Sequence, residues 1–165
     1  YEGVLSGDGN GGFAPSRPVS RAEFVKMAVK KFDITVDEKK SMSFTDCRGS
    51  DWYYPFVAIA YTTGIISGKD EFTFGADETI TREDMAVIIK NIMSYKHIYP
   101  VSDESITAGS DEEFSDYAKD AFSAMVGAGI INGFSDGTFG PKKSAERAEA
   151  AVIISRTAKY LHEEA

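Results

Sequence analysis

A single cysteine, Cys47, leaves the chain without an intrachain disulfide or a cysteine-based zinc site. As a small residue with no thiol partner, it is expected to be partly buried. Only two histidines occur, His97 and His162, and no GxSxG or HExxH segment accompanies them, so the usual hydrolase signatures are missing. Basic residues are also short, 18 against 26 acidic ones for a formal net charge of -8. No run of Lys and Arg offers a track for a phosphate backbone, which argues against nucleic acid and against an anionic membrane surface. The longest mostly apolar runs, such as Met85 to Ile89, are far too short to span a bilayer. Residues 1–20 lack the basic start and apolar centre of a signal peptide, so a targeting segment, if there is one, was removed or lies outside this sequence. What remains is 42% hydrophobic content with 12% aromatics, enough for an ordinary core.

The chain carries one pattern three times. Gly7 to Glu23 (GDGNGGFAPSRPVSRAE), Gly68 to Asp84 (GKDEFTFGADETITRED) and Gly133 to Glu149 (GFSDGTFGPKKSAERAE) align without gaps, which brings Phe13, Phe74 and Phe139 into register, and likewise Arg21, Arg82 and Arg147. Upstream, Gly3-Val-Leu-Ser-Gly7 matches Gly64-Ile-Ile-Ser-Gly68 and Gly129-Ile-Ile-Asn-Gly133. In the second and third copies, Trp52 to Thr63 and Tyr117 to Ala128 also align, preceded by Phe44-Thr-Asp46 and Phe114-Ser-Asp116. The first copy has no such front half, so either it lies upstream in a longer protein or another part of the chain supplies that helix. The repeats are placed at 1–40, 41–103 and 104–165.

Each complete repeat reads as helix, glycine-rich turn, short extended piece, helix. Trp52, Phe56, Ile59, Ala60 and Thr63 form an amphipathic stripe that ends at Gly64; Tyr117, Ala121, Ala124, Met125 and Ala128 repeat it before Gly129. Ser20 and Thr81 are N-caps for the second helices, with Glu23 and Asp84 in the capping-box position, and in the third copy Ser144 is expected to cap because Glu146 stands where the others have Ser or Thr. Core positions recur as Phe24, Ala28 and Phe32, as Met85, Ile89 and Met93, and as Ile154 and Ala158. A helix pair this small cannot bury its own apolar face, so the copies must pack on one another, and three of them suggest a pseudo-threefold bundle. Thr35 to Ser43 and Val101 to Glu113 read as solvated connections.

Taken together, F-x-D, an aromatic helix, G-I-I-x-G, D-G-x-F-x-P and a closing T-R-A-E resemble the S-layer homology repeat, most fully in Gly129-Ile-Ile-Asn-Gly133-Phe-Ser-Asp136-Gly137-Thr-Phe139-Gly-Pro141. The resemblance implies an all-α, mainly helical fold with three helix-loop-helix repeats in a pseudo-threefold, three-pronged spindle. It also implies a secreted module at the bacterial cell wall or S-layer that anchors a surface protein by binding a secondary cell wall polysaccharide, commonly through pyruvylated N-acetylmannosamine, in the grooves between prongs. The arginine of T-R-A-E is that family's ligand contact, which falls here on Arg21, Arg82 and Arg147.

Chemistry fits the role, since a guanidinium fork matches a carboxylate and a helix N-terminus beside it offers N–H groups and a favourable dipole. Trp52 and its smaller equivalent Tyr117 are candidate stacking platforms for sugar rings, or else core. Gly9, Gly11 and Gly137 would let a sugar approach the backbone, whereas Glu71 and Phe72 replace the Asp-Gly of that turn in the second copy. Asp46 and Asp116 are candidate contacts, or else caps and turn braces. Each arginine is alternatively a structural pin, pairing with Glu23, Asp84 or Glu149 or with a loop carbonyl. Arg82 is favoured as a ligand contact because its repeat also carries Trp52, and its replacement by Ala is expected to leave the fold nearly intact. Asp8-Gly-Asn10-Gly-Gly12 fails as a calcium loop, because Val19 stands where a bidentate Glu is needed. No cofactor or metal is called for, and a repeated arginine without a repeated base or nucleophile points to recognition without catalysis. Assembly with other S-layer subunits, or binding to peptidoglycan, are the rival readings.

Overall fold

The computed structural model describes residues 14–38, 40–108 and 112–164. Within them the chain is all-α: α1 (Arg21–Lys31), α2 (Tyr54–Thr62), α3 (Arg82–Tyr95), the single turn α4 (Ser105–Ala108), α5 (Lys119–Gly127) and α6 (Arg147–Glu163). Extended structure among these residues is limited to isolated bridges, Pro18 with Glu146, Ser20 with Thr79, and Thr81 with Ser144.

Those bridges surround the feature that joins the repeats. Val19, Ile80 and Ala145 occupy the same register position, and each is fully buried. The Val19 N–H donates to the Ala145 carbonyl at 3.0 Å, the Ala145 N–H to the Ile80 carbonyl at 2.9 Å, and the Ile80 N–H to the Val19 carbonyl at 3.0 Å, closing a cycle. A second cycle runs just outside it. The N–H groups of Arg21, Arg82 and Arg147 donate to the carbonyls of Glu78, Lys143 and Arg17, and those of Ala22, Glu83 and Ala148 to the carbonyls of Ala76, Pro141 and Pro15. The first-turn amides of α1, α3 and α6, which no helix can satisfy internally, are thus satisfied by the turn of the next repeat.

This explains a departure from the sequence reading at α6. Ser144 does not cap that helix; Glu146 is the N-cap residue and makes no side-chain cap bond. The helix start is set by the bonds to Arg17 and Pro15, while the Ser144 hydroxyl meets that of Thr79 at 3.1 Å. At α1 the full capping box of Ser20 and Glu23 is present. At α3 only Thr81 caps, because the Asp84 carboxylate is turned to other partners.

Helices α2 and α5 end as the glycines predict. Gly64 and Gly129 have φ of 75° and 68°. The N–H groups of Ile65 and Ile130 return to the carbonyls of Ala60 and Met125, and those of Gly64 and Gly129 to Tyr61 and Val126, the paired bonds of a Schellman motif. The predicted stripe is buried only in part, more fully in α5 than in α2. Trp52 and Tyr117 lie ahead of the helix and are exposed; Ala60, Ala121, Ala124 and Met125 of the stripe are buried, joined by Tyr53, Val57 and Ala58 in one copy and Ala118, Phe122 and Ser123 in the other. Pro55 falls at the start of α2, where its missing N–H costs nothing, so the helix begins beyond the aromatic and turns the next residue inward.

Helix α2 packs on α1 and α5 on α3, so the front helix of each repeat covers the second helix of the repeat before it. The predicted core residues Phe24, Ala28, Phe32, Met85, Ile89, Met93 and Ile154 are all buried, and Ala158 partly so. Phe122 lies edge-on to both Phe114 and Phe139. The segment read as a solvated connection contributes α4 against α5.

A Cβ at Gly129 would meet no atom within 4 Å, whereas one at Gly68 would overlap the carbonyl oxygens of Asp70 and Thr73. Gly129→Ala should therefore cost only the left-handed backbone term, about 1 kcal/mol, and Gly68→Ala about 3 kcal/mol through forced rearrangement. Urea unfolding midpoints of the two variants test this ordering.

Candidate functional site

Two equivalent grooves open where repeats meet. One, of about 490 Å³, is bordered by Arg21, the Ile65 to Gly68 turn, Lys69, Asp84 and Tyr117. The other, of about 520 Å³, is bordered by Arg82, Ile130 to Asn132, Phe134, Lys143, Glu149 and Arg156. By register most positions correspond one to one. The candidate glycines Gly9 and Gly11 lie outside the described residues.

The three arginines are all buried, at 8%, 4% and 5% exposure, in matching surroundings. Arg21 donates from Nε to the Phe74 carbonyl at 3.1 Å and from Nη1 to Asp84 Oδ2 at 2.9 Å. Arg82 donates from Nε to the Phe139 carbonyl at 2.7 Å and from Nη2 to the Asn132 carbonyl at 2.8 Å, and its Nη1 pairs with Glu149. Arg147 Nη1 lies 3.6 Å from Glu23 Oε1. Each arginine is therefore paired with the acidic residue of the following repeat, again in a cycle.

Electrostatics follow from burial and these partners. Burial draws the Arg82 guanidinium below its usual value while the Glu112 charge pushes it back, and an arginine stays protonated regardless. Burial raises the Glu23 carboxyl, but the bonds from Arg17 and the Ser20 N–H and the charges of Arg17 and Arg147 outweigh it and hold that group below its usual range. Burial and the hydrogen bond to Asp84 push the Tyr117 phenol well above its ordinary value, so it remains a donor.

The helix N-termini contribute less than the sequence suggested. In α1 and α3 the first three N–H groups are all bonded, two to loop carbonyls and the third to the capping Ser20 or Thr81 hydroxyl. Only the dipole remains available to an anion there.

The aromatic platforms are exposed, Trp52 at 52% and Tyr117 at 63%, and Tyr117 borders the Arg21 groove. Tyr117 donates its hydroxyl to Asp84 Oδ1 at 2.8 Å, which places it with Arg21. Trp52 lies over the first repeat, with the Lys26 ammonium of α1 5.1 Å from its ring centroid, and edge-on to Tyr53. Arg82 and Trp52 share a repeat but not a groove, because the front helix packs on the preceding repeat.

Gly137, at φ 86°, sits in an open turn beyond the groove lining. Asp46 braces a turn, its two carboxylate oxygens accepting the N–H groups of Phe74 and Gly75 at 2.9 and 2.7 Å. Asp116 does not repeat this: it is exposed and paired with Lys119, and Glu112 accepts the corresponding N–H groups of Phe139 and Gly140, both at 2.6 Å.

Sequence reasoning passed over Phe134, Lys143, Arg156 and Glu83. The first three have register equivalents of different chemistry, Lys69, Glu78 and Asn91, so differences between copies were the signal. Arg156 and Asn91 still perform one shared task, donating to the carbonyls of Ile130 and Ile65. Glu83, 2% exposed, stands where the other copies have Ala; it accepts from the Ser115 N–H and hydroxyl and pairs with Lys142 at 2.8 Å.

The burial of Arg82 and its three partners argue against the expectation that its removal spares the fold. Arg82→Ala strands Glu149 and two loop carbonyls, and should cost about 3 kcal/mol in urea unfolding, with Arg82→Lys intermediate.

A profile of the S-layer homology domain matches residues 1–25, 43–86 and 111–151. The chain is 38% identical to exoglucanase XynX of Acetivibrio thermocellus over 86% of its own length and 13% of that protein's. It is 36% identical to an amylopullulanase of Thermoanaerobacterium thermosulfurigenes over 86% of its length and 8% of that protein's. To the S-layer protein sap of Bacillus anthracis it is 31% identical over 99% of its length and 20% of that protein's. The chain thus spans a small part of each of these relatives. No described helix is long and apolar enough to cross a membrane. Three matched segments in register and relatives among S-layer proteins make this a cell-surface, cell-wall-associated chain that belongs to the S-layer homology domain family.

Proposed function

We propose that the chain anchors a surface protein non-covalently by binding an acidic polysaccharide of the cell wall, with the pyruvylated N-acetylmannosamine of a secondary polymer as its ligand. The observation that carries this reading is the pair of equivalent inter-repeat grooves, each with a buried guanidinium in its wall. Arg21 and Arg82 retain N–H donors beyond those used on loop carbonyls and the neighbouring carboxylate, and these can reach a ketal carboxylate. The module works by recognition, without catalysis. Its occurrence in glycan-degrading enzymes and S-layer proteins alike supports this, since one segment accompanies unrelated remainders.

The test is co-sedimentation with purified cell walls before and after the secondary polysaccharide is stripped with hydrofluoric acid. Binding should be lost on stripping and should weaken as salt rises from low to physiological strength, because the contact is ionic. Retention on stripped walls would transfer the reading to peptidoglycan. Indifference to both kinds of wall would leave assembly with other surface subunits.

A further inference from the structure

The two described grooves are built on one plan but differ at two positions that pack against each other over a glycine. Above Gly75 lie Lys69 and Glu78, and these form an ion pair. Above the equivalent Gly140 lie Phe134 and Lys143, and no carboxylate pairs with Lys143 among the described residues. Instead its ammonium sits 4.2 Å from the Phe134 ring centroid, while the Arg82 guanidinium lies 4.7 Å from the same centroid. One aromatic ring therefore holds two cations beside one groove.

The charge balance follows from these pairs. Arg21 and Arg82 are each matched by a carboxylate, Asp84 or Glu149, so neither alone supplies a surplus charge to its groove. In the Arg21 groove Lys69 is matched as well, by Glu78. In the Arg82 groove Lys143 has no such ion pair among the described residues, and the Asp136 charge acts on it from a greater distance. A ligand carboxylate entering the first groove must compete with Glu78 for Lys69. In the second it meets a cation held against a ring that is itself partly exposed, at 38% of the residue.

We propose that the grooves are unequal sites: the Arg82 groove is the strong one for a carboxylate-bearing saccharide, with Lys143 as its second cation and Phe134 as its stacking surface, and the Lys69–Glu78 pair keeps the Arg21 groove weak. The assignment rests on the polysaccharide-binding reading above and adds the residues that set affinity within it. It makes position 69/134 and position 78/143 the specificity determinants, exchangeable between repeats.

The experiment is calorimetric titration of the chain with the methyl glycoside of pyruvylated N-acetylmannosamine and with its non-pyruvylated parent. Thermal melts of every variant accompany it. Copying the second repeat into the third, F134K with K143E, should weaken the strong site about tenfold or more, the loss of one charge-assisted contact. The milder Lys143→Gln should lose part of that affinity while melting like the parent. The reciprocal graft, K69F with E78K, should convert the Arg21 groove and raise the number of strong sites by one. Loss in the first graft together with gain in the second supports the proposal. If the strong site survives both F134K/K143E and Lys143→Gln, or if a folded K69F/E78K gains no site, the assignment of these residues is wrong while saccharide binding stands. An unmodified chain that binds neither glycoside overturns the saccharide reading, and the groove assignment with it.

Discussion

Three backbone amides, those of Val19, Ile80 and Ala145, hold one another in a closed cycle at the centre of the fold, and most other features take their place from it. These residues are fully buried, so each N–H and carbonyl must find a protein partner, and the partner in every case is another repeat. The cycle fixes the extended residues just before α1, α3 and α6. That in turn brings the turn of each following repeat against the start of each helix, where its carbonyls take up the first-turn amides. Helix initiation here is a tertiary event. It explains how α6 starts without a side-chain cap.

The arginines share this logic. Each stands one residue beyond the bridged position, points back along the junction to the next repeat's phenylalanine carbonyl and carboxylate where these are described, and is almost wholly buried. A guanidinium suits such a place because its donors can be divided between a phenylalanine carbonyl, the next repeat's carboxylate and, at Arg82, the Asn132 carbonyl as well. Of the two roles the sequence allows, the structure shows the pin, each arginine being paired with the acidic residue of the next repeat. The same burial means that removing the arginine disturbs the junction as well as the groove. Residues outside the junction, such as Phe134 and Lys143, are therefore better probes of recognition.

Divergence among the copies falls mainly on groove walls and outer turns. The cycle tolerates Val, Ile or Ala because only backbone atoms are used. Asp46 and Glu112 brace equivalent turns from different places, Asp46 after Phe44 and Glu112 ahead of Phe114. Glu83 gives one junction an additional anchor through Ser115 and Lys142. One framework thus carries grooves of different charge.

The sequence by itself determined the repeats, their helices and the glycines that end the front helices, because these are local matters. A left-handed residue at Gly64 or Gly129, a Ser20 cap with Glu23, and a spacing of Met85, Ile89 and Met93 act within one or two turns of helix. It also singled out the three arginines, since identity in register needs no knowledge of contact. What only the tertiary structure decided was which repeat each side chain faces. Trp52 was read with Arg82 because they share a repeat, yet it lies over Lys26 of the repeat before, and Tyr117 reaches back to Asp84 in the same way. The leading aromatics Trp52 and Tyr117 stay exposed for a related reason: the face to be buried is chosen by the preceding helix, which takes up Tyr53 and Ala118 instead. Pairing across a cycle depends on how the chain closes, and no spacing along one strand of sequence encodes that closure.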